Sequence, residues 1–343
     1  MESRVESLPH DVVEVIMERL PAKSLMRFKA VSKQWRTTIE SPSFPERQLK
    51  HGQQQSGDDT NILMVSEDAE TGIQSLRTLV LVEAGFVVNP TTRWSRPVPL
   101  CKVQQLAIDL GESYSELGHS PIKFGFGKDR FTGAYKLVCL YNSSEISLEN
   151  ATTCEVFDFS TNAWRYVTPA SPYRIVGCPD PAFVDGSLYW FTDCAETKVV
   201  SFDLHTEAFQ VVAQAPFYDD PDPDEFVMCN LDNRLCMSRI FWDIQVVWSF
   251  NSGNKTWDKM CAIDLVSTYA CFKIPSSAAA LSPLTLLEVK EKEKKKKLLF
   301  FDRAETQTLF AHDPETGSED IVFSTAESSL GYPVYYFQSL ISI

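Results

Sequence analysis

The side chains that could do chemistry in this 343-residue sequence are scattered along the chain rather than grouped. No two histidines have the H-x-x-x-H or H-E-x-x-H spacing that places zinc ligands on one helix face. Neither the G-x-S-x-G motif of serine hydrolases nor a P-loop is present. We therefore expect no catalytic residue, no bound metal and no cofactor. The five histidines are His10, His51, His119, His205 and His312.

The segment FGFGKD, residues 124–129, comes nearest to a phosphate-binding loop because two glycines precede Lys128. It lacks the G-x-x-x-x-G-K-[ST] spacing that wraps backbone N–H groups around phosphates, so it predicts a strand at the edge of a sheet. His205 falls inside a repeated turn motif and is predicted to be a solvated turn residue.

The nine cysteines do not form a recognisable framework, since their number is odd and no C-x-x-C occurs. The N-terminus lacks the apolar run and small-residue cleavage site of a secretory signal. No stretch reaches the roughly 18–20 apolar residues that a membrane span requires. We expect reduced, mostly buried thiols and a location in the cytoplasm, the nucleus or both.

The net charge of −14 excludes two classes of partner. Nucleic acids and anionic membranes both select positive surfaces, so neither is expected to bind this acidic chain. The 44% hydrophobic content excludes global disorder. The length corresponds to about two domains.

Residues 8–41 have the apolar spacing of three short helices. Val12, Ile16 and Leu20 recur four apart in the first helix, which Pro21 ends. Ser32 is a suitable N-cap for the third, and Pro42 and Pro45 are predicted to close the segment. Three helices of this size bury little surface, so we expect them to need a partner.

Residues 51–60 are polar and predict a linker between an N-terminal domain, residues 1–50, and a β domain, residues 61–343. After the linker the apolar period changes to two, as in an all-β domain of many short strands. Strands are predicted at 61–65, 77–82, 135–140, 188–191 and 244–250.

A turn motif repeats through the β region. The three best copies are DFSTNAW at 158–164, DLHTEAF at 203–209 and NSGNKTW at 251–257, with looser copies at 89–94 and 313–319. In each of the three best copies Asp or Asn opens a turn, and the aromatic six residues later is predicted to pack between neighbouring units. Asp185-Gly186 and Asp232-Asn233 add tight-hairpin signals in phase with the motif. A period near 47 residues predicts a β-propeller-like domain of about six blades.

The helical segment resembles an F-box, and the β region is similar to the F-box-associated, kelch-like interaction domains of plant F-box proteins. The first resemblance rests on LP at 8–9, RLP at 19–21, KSL at 23–25, VSK at 31–33 and WR at 35–36. The second rests on residues 124–141, 154–167, 182–193 and 199–212, and becomes weaker after about residue 260. Thr38 departs from the F-box pattern, where an apolar residue is more usual, and is expected to loosen the third helix.

The resemblance implies the substrate-recognition subunit of a Skp–cullin–F-box ubiquitin ligase. Such a subunit is not an enzyme. Its F-box binds a Skp-type adaptor, and through it cullin, while its β domain holds a target protein close to the transferred ubiquitin. The residues assigned to the adaptor face are Leu8, Pro9, Val12, Ile16, Leu20, Pro21, Leu25, Phe28, Val31 and Trp35. The alternative is that several of them, especially Val12, Leu20 and Trp35, pack the helices together.

Two charge runs and the tryptophans also have two interpretations. The run KEKEKKKK at 290–297 predicts the tip of a hairpin or, alternatively, a nuclear-import patch. The acidic run at 219–225 predicts an exposed loop, which could also meet a basic target. Trp94, Trp164, Trp190 and Trp257 are predicted to be wedges between blades rather than anchors for a target.

Three rival functions stay open, and the identity of the target cannot be read from one sequence. A lectin-like receptor would bind a glycan through aromatic loop residues. A kelch-type oxidase would need a Cys, Tyr and His cluster. An F-box scaffold without ligase activity would bind the adaptor but not assemble with cullin.

Overall fold

The computed structural model describes most of the chain in segments. These are residues 8–55, 61–67, 74–75, 79–80, 86–89, 92–109, 122–143, 151–176, 180–217, 225–272, 280–290, 294–302, 308–323 and 332–336. None of the helices in these segments has the length and apolar character needed to cross a membrane. Five of the seven cysteines whose side chains are described are buried, in agreement with the sequence prediction.

The chain divides into two compact units, Met1–Pro97 with Pro333–Ile343 and Val98–Tyr332. The first unit begins with four helices, α1 His10–Glu18, α2 Ala22–Phe28, α3 Lys33–Ile39 and α4 Phe44–Gln55. Ser32 occupies the N-cap position of α3, as predicted, although its side chain makes no capping hydrogen bond.

The fourth helix corrects two predictions. Pro45 does not close the helical segment but lies in the first turn of α4, where proline is tolerated because its missing N–H has no helical acceptor. Helix α4 also includes residues 51–55, so the predicted linker begins five residues too early. Residues 56–60 of that linker lie outside the described residues.

The first unit also contains short strands in two sheets. One sheet has the order β2-β1-β22, so that a strand near the C-terminus lies in the same sheet as the first strand of the β region. The other has the order β3-β4-β5. The strands are β1 Asn61–Glu67, β2 Gln74–Ser75, β3 Leu79–Val80, β4 Phe86–Asn89, β5 Trp94–Pro97 and β22 Tyr332–Tyr336.

The second unit contains helices α5 Lys102–Asp109 and α6 Leu265–Phe272 and four antiparallel sheets of four consecutive strands each. Sheet one comprises β6 Ile122–Lys128, β7 Tyr135–Asn142, β8 Thr152–Asp158 and β9 Ala163–Val167. Sheet two comprises β10 Ala182–Val184, β11 Ser187–Phe191, β12 Lys198–Asp203 and β13 Ala208–Gln214. Sheet three comprises β14 Phe226–Leu231, β15 Arg234–Phe241, β16 Ile244–Asn251 and β17 Thr256–Asp264. Sheet four comprises β18 Ser282–Lys290, β19 Lys294–Phe301, β20 Leu309–His312 and β21 Glu319–Phe323.

The apolar cores of the second unit lie between neighbouring sheets. The first strands of successive sheets are adjacent, β6 beside β10, β10 beside β14 and β14 beside β18. One buried cluster joins sheets one and two, a second joins sheets two and three, and a third joins sheets three and four. This is the packing of propeller blades, so the predicted fold class, a small helical domain followed by a β-propeller-like domain, is confirmed.

Each copy of the repeated turn joins the last two strands of its sheet, and its backbone follows one pattern. In the copies that begin at residues 158, 203, 251 and 313, the leading Asp or Asn accepts a hydrogen bond from the N–H two residues later, as Asp158 does from Ser160 at 2.7 Å and Asp203 from His205 at 2.9 Å. The fifth residue of every copy has a left-handed backbone, which closes the turn. These residues are Arg93, Asn162, Glu207, Lys255 and Gly317, with φ between 55° and 69°.

Residues 124–128 of the FGFGKD segment lie in strand β6 at the edge of sheet one, as predicted. Their glycines allow side chains of sheet two to pack directly against the backbone of this strand. A Cβ atom on Gly125 would lie 2.7 Å from Leu188, and one on Gly127 would lie 2.3 Å from the Phe183 ring. The two glycines therefore serve close packing between sheets one and two rather than phosphate binding.

The two ends of the KEKEKKKK run lie on the paired strands of a hairpin, as predicted, and residues 291–293 lie outside the described residues. Strands β18 and β19 pair antiparallel along their length, with Lys290 opposite Lys294. Lys296 and Lys297 form ion pairs with Asp232 and Asp320. Of the acidic run at 219–225, residues 219–224 lie outside the described residues.

Candidate functional site

Helix α1 carries apolar side chains on two faces. Val13 and Met17 face the other helices, and Met17 is buried in a cluster with Ala22, Leu25, Ile39 and Phe44. The opposite face carries Val12, Val15 and Ile16, which are 41%, 49% and 47% exposed, and Leu8 before the helix is 61% exposed. A helix in contact with water on one side normally carries polar residues there. The outer face therefore has the composition of an interface.

The ten residues assigned to the adaptor face separate into three groups. Six have exposed side chains, namely Leu8, Pro9, Val12, Ile16, Pro21 and Val31. Three are half-buried and pack against the helical core, namely Leu20, Phe28 and Trp35. The Phe28 and Trp35 rings lie 5.3 Å apart.

Leu25 is the exception, because it has no exposed surface. It packs with Met17 and Ile39 inside the three-helix cluster, so its assignment to the adaptor face is corrected to a core position. Conversely, Val15 belongs to the exposed face but is absent from the ten predicted residues. Its position three residues after Val12 places it on the same helix face, and this spacing could have identified it from the sequence.

Polar contacts hold α1 against the later helices. Arg47 of α4 donates to Glu18 at 2.5 Å and also pairs with Glu14, so one guanidinium binds two carboxylates of α1. The hydrogen bond to Glu18 raises the pKa of Arg47 further above its ordinary value. His10 Nε2 lies 3.0 Å from Thr38 Oγ1. Thr38 is thus hydrogen-bonded within the fold although it is buried, and the loosening of α3 expected from its polarity stays a prediction.

In the second unit, three buried side chains could supply ligands to a metal. Cys101, Cys139 and Glu155 bring their ligand atoms within 4.8 Å of one another, and the two sulfurs are 3.7 Å apart. Glu155 accepts hydrogen bonds from the backbone N–H groups of Lys102 at 3.0 Å and Val103 at 3.4 Å. Its carboxylate therefore caps the N-terminus of α5, which accounts for its burial without a metal. Burial raises its pKa.

A cleft of about 530 Å³ lies beside β8 and β9, lined by residues 151–154 and 166–172. Its thiol, Cys154, is not activated as a nucleophile, because burial raises its pKa and the thiolate is the reactive form. Burial also raises the pKa of Tyr166. Residues 151–154 and 166–172 include neither a histidine nor a carboxylate, so the cleft offers binding surface rather than acid–base chemistry.

His205 is more than the solvated turn residue predicted from the sequence. Its Nδ1 atom lies 3.0 Å from Oδ2 of Asp129, which is buried, and its ring is 4.8 Å from that of Phe131. Burial alone would raise the pKa of Asp129, but hydrogen bonds, first from the Thr132 hydroxyl and the Phe131 N–H, lower it well below its ordinary value. The contact links the β6–β7 turn to the β12–β13 turn and is structural.

Comparison with known proteins identifies both parts of the chain. Residues 5–47 match the F-box domain, and residues 79–343 match the F-box associated beta propeller domain. The second match extends to residue 343 and thus includes the part after residue 260 in which the resemblance is weaker. An F-box/LRR-repeat/kelch-repeat protein of Arabidopsis thaliana is 54% identical over 379 residues, covering 99% of this chain and 97% of the relative. An F-box protein of the same plant is 42% identical over 391 residues, covering 99% of this chain and 86% of the relative.

Among solved structures, the Dos1 propeller is similar with a TM-score of 0.38 at 11% identity, covering 78% of this chain and 66% of the other. The six-bladed lectin of Aleuria aurantia gives a TM-score of 0.35 at 12% identity, covering 58% and 59%. Similarities this low carry no argument about function. The two domain matches and the close relatives do, and they show that the chain belongs to the F-box proteins that carry an F-box associated β-propeller domain.

Proposed function

We propose that the chain is the substrate-recognition subunit of a Skp–cullin–F-box ubiquitin ligase, acting in the cytoplasm, the nucleus or both. The F-box binds a Skp-type adaptor, the adaptor connects it to cullin, and the β domain holds the target protein. The chain itself is not an enzyme. It raises the effective concentration of the target's lysines at the ubiquitin-conjugating enzyme.

The outer face of α1 is the observation that carries the proposal. Leu8, Val12, Val15 and Ile16 expose apolar surface, although the inner face of the same helix already supplies the core. Burying a large apolar side chain is worth about 1.5–3 kcal/mol, and about half of each of these remains to be buried. Four such residues therefore contribute several kcal/mol to an interface.

Co-purification with the Skp-type adaptor tests this proposal. Leu8→Ala with Pro9→Ala, and separately Val12→Ala with Ile16→Ala, should each weaken the complex about tenfold or more, because about 1.4 kcal/mol corresponds to tenfold in affinity. These side chains are exposed, so the fold should be unaffected. The matched control is Lys33→Ala with Gln34→Ala on the exposed side of α3, which should retain the adaptor. Failure of the wild-type chain to bind the adaptor would contradict the proposal.

Ligase activity requires a second measurement. The adaptor complex should assemble with cullin and ubiquitinate a protein captured by the β domain. Binding to the adaptor without recruitment of cullin would instead indicate the scaffold function. Binding of the full chain on a glycan array, without adaptor binding, would favour the lectin-like function.

A further inference from the structure

Trp242 stands at the tip of the β15–β16 hairpin with almost none of its surface covered. It is 97% exposed, and its backbone has a left-handed φ of 59°. Phe241 and Ile244 are paired across the hairpin, so Trp242 and Asp243 form a two-residue connection. The side chain is thus held out from the sheet by a short and well-defined turn.

Tryptophan at this position does not help the fold. The left-handed region is unfavourable for a bulky residue, and the exposed ring gains no packing in return. The hairpins β10–β11 and β14–β15 place Asp185-Gly186 and Asp232-Asn233 at their positive-φ positions, which are residue types that suit such turns. Neither packing within the chain nor the backbone preference of the residue accounts for tryptophan at this position.

Two further exposed apolar side chains lie next to this turn. Ile244 is 47% exposed and is paired with Asp264 on β17. The carbonyl of Asp243 accepts a hydrogen bond from the N–H of Leu265 at 2.8 Å, which brings the first turn of α6 beside the hairpin. Val266, the next residue, is 56% exposed. Together, Trp242, Ile244 and Val266 form an exposed apolar patch at the β15–β16 turn of sheet three and the start of α6.

The charge presented around the patch is negative. Asp243 and Asp264 are exposed carboxylates, and hydrogen bonds from Ser267 lower the pKa of Asp264. The one cation within residues 239–246 and 262–268 is Arg239, whose guanidinium is buried between the rings of Phe217 and Phe241 at 4.5 and 4.6 Å. Its charge is also paired with Glu225, so it does not offset the two aspartates at the surface.

We propose that the patch formed by Trp242, Ile244 and Val266, with Asp243 and Asp264 beside it, binds a segment of the target protein in which Lys or Arg adjoins an aliphatic side chain. The aliphatic side chain packs on the indole, and the cation pairs with the aspartates. The proposal rests on the proposed function, because it names the class of target that the β domain holds.

Selection from a displayed library of random linear peptides on the full-length chain tests this inference. Peptides with Lys or Arg next to Leu, Ile or Val should be enriched. Trp242→Asn should weaken an enriched peptide at least about tenfold, since a central aromatic contributes most to such interfaces. Asparagine suits a left-handed backbone, so the thermal unfolding midpoint of this variant should be unchanged or higher.

A second variant tests the role of charge, and a third serves as the control. Asp243→Asn should weaken the peptide and reduce the dependence of its affinity on salt, because a charge pair is removed. Phe131→Ser removes another exposed aromatic, 65% exposed on the β6–β7 turn of sheet one, and should leave the affinity unchanged.

Four outcomes would overturn the inference: no enrichment, enrichment of acidic peptides, binding that survives Trp242→Asn, or a Trp242-dependent interaction with a glycan or a second copy of the chain. Adaptor co-purification is measured separately on the same variants. If the adaptor binds but no basic peptide is selected, only this inference fails. If basic peptides bind but the adaptor does not, the ligase function fails and the binding site remains.

Discussion

Phe250 and Trp257 are direct partners across strands β16 and β17, with their ring centroids 5.1 Å apart. The Trp257 indole N–H also donates to the carbonyl of Gln214, at the end of the preceding sheet, at 2.9 Å. Trp164 repeats both features, with Phe157 at 5.3 Å and the carbonyl of Pro99 at 2.7 Å. The tryptophan that ends each of these two turn motifs therefore connects its own sheet to the segment that precedes that sheet in the chain. This is the position predicted for a wedge between neighbouring blades.

Replacing Trp257 should separate its two contributions to stability. Trp257→Phe keeps the ring pair and loses the hydrogen bond, which should lower the free energy of unfolding by about 1 kcal/mol. Trp257→Ala loses both and should lower it by about 2–4 kcal/mol. Chemical denaturation of the two variants measures the difference. Equal losses would show that the ring pair contributes nothing.

Gly127 should not tolerate a side chain. A Cβ atom there would lie within 2.3 Å of the Phe183 ring, so Gly127→Ala should cost about 1–3 kcal/mol of stability through overpacking between sheets one and two. The control is Gly253→Ala, whose Cβ would meet only the Asn251 side chain at 3.4 Å. That change should be neutral or slightly stabilising. A harmless Gly127→Ala substitution would contradict the close approach of the sheets.

Acid should destabilise the β domain through its turn aspartates. The pKa of Asp129 is lowered in the folded chain, since hydrogen bonds from Thr132 and Phe131 outweigh the opposing effect of burial. Hydrogen bonds, above all from the Ser160 hydroxyl, likewise lower the pKa of Asp158. A lowered pKa gives stability that is present above the ordinary value of 3.8 and lost as pH falls below it toward the folded-state value. The free energy of unfolding should therefore fall steeply below about pH 4.

Asp129→Asn tests the origin of this acid sensitivity. The amide oxygen can still accept from the Phe131 N–H, but the titrating group is gone. The variant should be less stable than wild type near neutral pH and lose less stability on acidification. An unchanged pH profile would show that Asp129 does not titrate in this range.

Glu155 should be required for the start of α5. Glu155→Gln keeps one acceptor for the N–H groups of Lys102 and Val103, whereas Glu155→Ala leaves both without one and should cost about 1–3 kcal/mol more than the glutamine variant. Since burial raises the pKa of Glu155, the acid form is favoured in the fold, and stability from this group decreases as pH rises above the ordinary value of 4.5 toward the higher folded-state pKa. Thermal unfolding of both variants across pH measures this. Equal stability of the two would exclude the capping role.

The turn motif shows which structural features can be predicted from residues that are close together in the sequence. Asp158 and Asp203 bond to the backbone two residues later, and Asp185-Gly186 adopts positive φ, because these contacts involve only nearby residues. The period-two strands and the repeat of about 47 residues indicate a propeller-like domain, since each blade carries its own copy of the same local pattern. The F-box pattern is equally readable, because it depends on residues within about 40 positions.

Only the tertiary structure decided which of several residues of the same type are buried and which are exposed. Leu25 and Ile16 are both apolar helix residues, yet one has no exposed surface and the other is 47% exposed, because only the packing of four helices determines which faces meet. The strand that contains Gly127 is predicted from the sequence, but the Phe183 ring that packs against this glycine comes from another sheet. Trp190 and Trp242 are both tryptophans, yet Trp190 is buried, whereas the position of Trp242 at a hairpin tip exposes its ring to solvent. Composition, turns and repeats are local properties that the sequence determines by itself, whereas burial depends on contacts between residues far apart in the chain.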